Sequence, residues 1–169
     1  MTRFALRFPQ HQTRLVALAV SYHLSRPGSE LNVDTLTEYE HGLFEVLPVV
    51  DEQIDAETAT VELSALQVTL LSTAMSSVIS ELKTYSLVDA MSGSSERPRS
   101  VAPGFDRRLR DLFPQVEFDP AHTLALAEDL TMLRRELPFK RAKELLDEQQ
   151  AAVEAAEESR KRWWNLWRG

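Results

Sequence analysis

The uncharged run from Leu63 to Ser80 restricts the fold more than any other feature of this 169-residue chain. About 20 apolar residues are enough to cross a bilayer, so the run is long enough to raise the question of a membrane span. Serine, threonine and glutamine recur along it, however, and make it too polar for a lipid-facing helix. We therefore expect a buried helix in a water-soluble domain. Ser64 and Gln67 have the spacing of a capping box, and the helix they start should continue to about Tyr85.

This helix has two sides of different chemistry. One side is apolar and includes Leu71, Met75 and Leu82, which suits packing on a core. The other side carries hydroxyl groups and no charge, although exposed helix faces usually carry charges, and small hydroxyls can bond carbonyls of their own helix. The predicted dimer face, or face covered by another element, consists of Thr69, Ser72, Thr73, Ser76 and Ser80. The alternative is a weakly polar face that stays exposed.

Three segments combine a strand pattern with a helix start. They are RFALRF (3–8), ATVELS (59–64) and QVEFDPAH (115–122), in which apolar and polar residues alternate. Val61 follows Leu6 by 55 residues, and Val116 follows Val61 by the same interval. This spacing predicts a degenerate repeat of a strand and two helices, with three evenly spaced but unrelated units as the alternative.

The rest of the chain has the pattern of helices joined by a flexible segment. Residues 33–47 are expected to form a helix that Pro48 ends, and residues 105–113 another. Glycine, serine and proline are concentrated in residues 91–104, which predicts a flexible loop. A long helix is expected over residues 139–169, either docked on the domain or protruding from it.

Together these patterns predict one domain over residues 1–169 with a helix-dominated α+β fold. Each of the three short strands is followed by a helix, and a long C-terminal helix closes the chain. The alternative is an all-α fold.

The net charge of −7 lies entirely in the first 90 residues, because Lys and Arg balance Asp and Glu in the remainder. A globally basic domain, the usual sign of a nucleic-acid-binding protein, is therefore excluded. The chain has no cysteine, which fits a reducing compartment. Its first residues, MTRFALRFPQHQ, lack the continuous apolar stretch of a signal peptide, so we expect a cytoplasmic protein.

The sequence contains no recognisable catalytic or metal-binding motif. Glu38, His41 and Glu45 would share one helix face, but a carboxylate-bridged metal site needs a second Glu-x-x-His pair, and the chain has none. A glycine-rich phosphate loop and a nucleophile elbow are also missing. We expect no bound metal, no cofactor and no enzymatic activity.

Two groups of cationic side chains could contact phosphates. The first flanks the flexible segment and consists of Arg97, Arg99, Arg107, Arg108 and Arg110. The second lies around Pro138 and consists of Arg134, Arg135, Lys140, Arg141 and Lys143. Acidic residues are interleaved in both groups, which favours ordinary solvated faces. Nucleic acid is therefore an alternative partner and not the favoured one.

The last ten residues, RKRWWNLWRG, contain all three tryptophans of the chain. On a helix, the apolar side consists of Trp163, Trp164, Leu166 and Trp167, and the cations are Arg160, Lys161, Arg162 and Arg168. Such an amphipathic segment is typical of a helix that binds a partner or lies at a membrane surface. The segment could bind one of three surfaces: lipid, another protein, or the body of this protein or of a second copy.

The sequence therefore predicts a non-catalytic interaction or assembly protein that forms a homodimer through helical surfaces and this tail. Another protein is a further candidate partner. The alternatives are a nucleic-acid-associated protein that uses the arginine groups and a peripheral membrane factor that uses the tail. Salt separates the first two, because phosphate contacts weaken steeply as salt rises, whereas tryptophan packing hardly responds.

Overall fold

The computed structural model describes residues 2–26, 42–92, 104–117 and 121–167, with backbone alone for 85–92, 117, 162 and 165–167. Helices dominate these residues, and two strands accompany them, so the predicted helix-dominated α+β class is confirmed. The elements are β1 (Arg3–Pro9), α1 (Gln10–Ser25), a first 3₁₀ turn (Leu43–Glu45), α2 (Val46–Glu52), β2 (Thr58–Ser64), α3 (Ala65–Ser92), α4 (Phe105–Leu112), a second 3₁₀ turn (Pro114–Glu117), α5 (Ala121–Glu136) and α6 (Phe139–Trp167).

β1 and β2 form a two-stranded antiparallel sheet in which Leu6 pairs with Val61 and Phe8 with Ala59. Because side chains alternate along a strand, these pairs lie on one face of the sheet. On that face Ala59, Val61 and Leu63 of β2 are buried, as is Phe8 of β1. The alternation that the first two segments predict is therefore confirmed, and each strand leads directly into a helix.

α3 lies at the centre of the fold and contacts α1, α5 and α6. Its apolar side supplies Leu71, Met75 and Leu82 to the core, and each of them is fully buried. α1 packs beside it through Leu15 and Leu18, which are also fully buried. The uncharged run is therefore a core helix, and the apolar area it removes from water is a main source of stability.

The capping box predicted at the start of α3 is formed. The Ser64 N–H donates to Gln67 Oε1 at 2.9 Å, and the Gln67 N–H donates to Ser64 Oγ at 3.2 Å. The Gln67 side-chain amide also donates to the Gly42 carbonyl at 3.1 Å, which ties the start of α3 to the first 3₁₀ turn. Ser64 and Gln67 are buried, so the N–H groups that they satisfy have little access to water.

Ser64→Ala is therefore expected to lower the free energy of unfolding by about 1–2 kcal/mol, because a buried helix N–H loses its acceptor. Urea denaturation followed by circular dichroism measures the change. Ser80→Ala is the matched control, since the exposed Ser80 hydroxyl donates to the Ser76 carbonyl of its own helix. There the free energy should change by less than about 0.5 kcal/mol. Equal losses at the two positions would contradict the role given to the capping box.

The predicted third strand is not seen in the described residues of its segment, and the repeat of three strand–helix units is not confirmed. Residues Pro114–Glu117 form the second 3₁₀ turn instead, in which the Val116 N–H donates to the Phe113 carbonyl at 3.1 Å. Phe113 and Val116 are both buried, and this packing favours the turn. Residues 118–120 lie outside the described part of the chain.

Two predicted helix boundaries are wrong. Pro48 does not end a helix but lies in the first turn of α2. Backbone N–H groups in a first turn have no acceptor within the helix, so proline loses no hydrogen bond there. α3 continues to Ser92 instead of ending near Tyr85, so the predicted flexible segment at 91–104 begins inside a helix. At the other end of that segment, Gly104 has a φ of 77°, a left-handed conformation that favours glycine, directly before α4.

Candidate interaction surface

α6 is a continuous helix from Phe139 to Trp167, as the sequence predicts. Alanine, glutamate and glutamine, which are frequent in its middle, have high helix propensity. Contacts one turn apart add support, since Arg141 pairs with Glu144 at 3.2 Å and the Gln150 amide donates to Glu154 at 3.1 Å. Such pairs contribute about 0.2–0.5 kcal/mol each. The sequence of α6 therefore favours a helix even where no other element covers it.

The start of α6 packs on the body of the protein, and the rest extends beyond it. Ala142 is fully buried, and Leu145 and Leu146 are half-buried against the core. From Asp147 to Lys161 every residue is exposed. We name Asp147–Trp167 the distal arm, which is about 30 Å long at 1.5 Å per residue. Because the exposed residues lie on all sides of the helix, no described element packs along the arm.

The tip of the distal arm carries the predicted interaction residues. Trp163 and Trp164 are 62% and 58% exposed, and Arg160 and Lys161 are exposed as well. The side chains of Arg162, Leu166 and Trp167, and the whole of Arg168, lie outside the described part of the chain. Of the two arrangements predicted for this helix, docked or protruding, the described residues of the arm fit the protruding one.

The hydroxyl side of α3 is covered at one of its predicted residues. Ser72 is buried, and its carbonyl and hydroxyl oxygens both accept the Arg134 Nε–H of α5 at 3.1 Å. The other predicted residues are half-buried, as for Thr69 and Ser76, or exposed, as for Thr73 and Ser80. Hydroxyls on this side bond carbonyls one turn earlier, as the sequence predicts. The idea that a second copy covers the exposed residues stays a prediction.

The first arginine group is divided by the fold. Its first two members lie outside the described residues, and Arg107 and Arg110 of α4 are exposed. Arg108 is half-buried and forms an ion pair with Asp51 of α2. Arg108 therefore holds α4 against α2, which leaves this side chain unsuited to a phosphate.

The second cationic group lies around the turn between α5 and α6. Arg134, Arg135 and Lys140 line an open cleft at this turn together with Ser72, Leu137 and Phe139. Arg134 already donates to Ser72, and Arg141, outside the cleft, pairs with Glu144. These intramolecular partners reduce the positive charge that the group can offer to a ligand.

Two polar contacts between helices have no local signal in the sequence. His11 of α1 and Asp129 of α5 are 2.8 Å apart, and both side chains are about half exposed. The Tyr22 hydroxyl of α1 donates to Glu81 of α3 at 3.2 Å. Burial, and next the neighbouring negative charge of Glu81, raise the pKa of Tyr22. Each contact joins segments far apart in the chain, so these residues connect helices, and sequence reasoning missed them because their partners are distant.

Within residues 2–26, 42–92, 104–117 and 121–167, no group of three His, Asp or Glu side chains could hold a metal ion. Of the Glu38, His41 and Glu45 cluster considered in the sequence, Glu38 and His41 lie outside these residues. Glu45 lies in the first 3₁₀ turn and is exposed.

The described residues include one stretch, Ala65–Thr84 of α3, that is long and apolar enough to cross a membrane, with a mean hydropathy of 1.2. Half of the stretch is buried inside the protein. Core helices of soluble proteins meet the same criterion, so this finding agrees with the role of α3 in the core.

Comparisons of the chain with protein-family models, with curated proteins and with solved structures found no match. The function must therefore be inferred from the surfaces described above.

Proposed function

We propose that this protein is a non-catalytic interaction and assembly protein that forms homodimers through the distal arm. The observation that carries the proposal is the exposure of Trp163 and Trp164, at 62% and 58%, on a helix that extends beyond the body. Tryptophan and arginine are the residue types that dominate binding energies at protein interfaces. A cluster of exposed indoles is also an aggregation hazard unless a partner covers it.

The area at the tip is large enough to drive reversible association. A tryptophan side chain offers about 150–250 Å², so covering the exposed part of Trp163 removes roughly 90–150 Å² from water in each copy. At about 25 cal/mol per Å², this gives about 2–4 kcal/mol per copy, and both copies contribute. Association itself costs about 4–15 kcal/mol, so the expected dimer forms reversibly and depends on concentration.

The polar contacts elsewhere support a role without catalysis. The residues that the fold brings together, such as His11 with Asp129 and Arg108 with Asp51, form polar contacts between helices. A catalytic acid or base is usually placed in a cleft, where burial and neighbouring charges shift its pKa. These pairs join one helix to another, which is an ordinary structural role.

Removal of residues 161–169 tests the proposal. Sedimentation equilibrium over a range of concentrations should show the full chain moving from its monomer mass of 19.2 kDa toward twice that mass, and the shortened chain staying monomeric. The melting temperature of dilute protein should be unchanged, since the arm contributes little to the core. Met132→Ala is the control, because Met132 is 58% exposed but belongs to α5 and not to the arm.

Other outcomes of this experiment identify other functions. An unchanged mass after removal of the tip would refute assembly through the arm. Binding of the full chain to phosphatidylserine-containing vesicles, lost on truncation, would favour a lipid surface. Nucleic-acid binding that weakens steeply with salt would favour the exposed Arg107 and Arg110.

A further inference from the structure

Apolar, small and uncharged polar residues recur every seven positions on one side of α6, from Ala142 to Leu166. Its positions a are Ala142, Gln149, Ala156 and Trp163, and its positions d are Leu145, Ala152, Ser159 and Leu166. Such a heptad pattern is typical of the seam between two paired helices. Ala142 is buried against the body, whereas the described seam residues from Gln149 outward are exposed. The side that packs on the core therefore continues, uncovered, along the distal arm.

We propose, on the basis of the assembly function above, that the distal arms of two copies pair antiparallel about a two-fold axis near Glu154. In this register Ala152 of one copy faces Ala156 of the other, and the small side chains allow the helices to approach closely. Gln149 faces Ser159, so that a polar residue meets a polar residue. The half-buried Leu145 faces Trp163 and offers the indole an apolar surface where α6 leaves the body.

The charges on α6 favour the antiparallel orientation. Acidic residues, with no Lys or Arg among them, are spread from Glu144 to Glu158, and the cations begin at Arg160. A parallel pair would set acidic segments side by side, whereas the antiparallel pair sets the basic tip beside the acidic start of the partner's arm. Glu148 and the partner's Arg162 then occupy facing flank positions of the heptad. Charges at such positions set the orientation and choice of partner in paired helices.

The same charges favour a second copy over an anionic membrane. Glu154, Glu157 and Glu158 directly precede the basic residues 160–162, so the net charge of residues 154–162 is zero. Attraction to anionic lipid grows with the number of cations near the surface, and here the neighbouring acids offset it. Trp164, at heptad position b, lies on the outer side of the pair.

The area of the paired arms fits a weak, specific dimer. Trp163, Val153 and the alanines of each arm would bury roughly 1,000–1,200 Å² over both copies, near the lower limit for specific interfaces. The interface uses the same patch on each copy, so it closes as a two-fold dimer and does not propagate into fibres.

Disulfide cross-linking tests the register. Because the chain has no native cysteine, every disulfide must come from an introduced cysteine. Full-length A152C and A156C are mixed in equal amounts, oxidised, and compared with each variant alone. The mixture should give at least about fivefold more cross-linked dimer than either variant alone, because the geometry of a disulfide allows the 152–156 pair and not the 152–152 pair. E154C is the control, since position 154 points away from the seam and should not cross-link.

Each other outcome overturns the register. Cross-linking of A152C or A156C with itself, as strong as in the mixture, would indicate a parallel pair. A dimer by sedimentation that gives no cross-link in the mixture would refute pairing of the arms while leaving homodimerisation intact. A chain that stays monomeric at all concentrations and binds phosphatidylserine–phosphatidylcholine vesicles would refute both the pairing and the assembly function.

Discussion

Leu71→Ala is expected to lower the free energy of unfolding by about 3–4 kcal/mol, within the range measured for leucines in protein cores. Leu71 is fully buried on α3, the helix that α1, α5 and α6 contact. The substitution removes apolar contacts and leaves a cavity that the surrounding helices can fill only in part. Such a loss is a large fraction of the 5–15 kcal/mol that stabilises a typical domain.

Urea denaturation followed by circular dichroism, at one fixed protein concentration, measures this loss. Leu124→Ala on α5 is the matched control. It removes the same atoms as Leu71→Ala, but from a side chain that is 42% exposed. Its expected effect is less than about 1 kcal/mol. A loss at Leu71 no larger than that at Leu124 would show that α3 does not form the centre of the core.

Trp163→Ala is expected to weaken the dimer by about 30-fold or more, the effect of losing about 2 kcal/mol at an interface hot spot. Trp163 occupies a seam position of the heptad, where the antiparallel pair buries it against the partner's Leu145. Sedimentation equilibrium of the full-length variant gives the dissociation constant directly.

Trp164→Ala is the matched control for this prediction. Trp164 is next to Trp163 in sequence and nearly as exposed, at 58% against 62%. Because it lies on the outer side of the pair, its removal should change the dissociation constant by less than about threefold. Equal losses from the two substitutions would contradict the seam, since a membrane surface or a broad groove would cover both indoles.

The sequence predicts the parts of the fold whose signals are local. Ser64 and Gln67 stand three residues apart and form the capping box that their spacing predicts. The start of α6 after Pro138 is equally clear, since proline suits the residues that precede a helix. In both places, neighbouring residues alone determine the conformation, so no knowledge of the rest of the chain is required.

Predictions failed where distant residues decide the conformation. The alternation at Val116 is typical of a strand, but burial of Phe113 and Val116 against the core turns this segment into a 3₁₀ turn. Contacts such as His11 with Asp129 depend on how helices pack, which periodicity does not encode. A repeat inferred from spacing alone was for the same reason not confirmed.

The candidate surface was predictable in part. The amphipathic tail and its tryptophans are visible in the sequence, because side chains at helical spacing share a face. The sequence does not show which part of α6 the body covers. Burial of Ala142 and exposure of Ala152 and Ala156, on the same stripe, locate the point at which the helix leaves the core.

The length of the distal arm also determines how strongly the two negatively charged bodies of a dimer repel each other. In the antiparallel pair the bodies lie at opposite ends of a helical rod, about 24 Å apart at 1.5 Å per residue. Electrostatic potentials decay over about 8 Å at physiological ionic strength, so the repulsion between the two bodies is almost completely screened. The net charge of −7 on each copy therefore opposes dimerisation very little, and the particle should sediment as an elongated dumbbell.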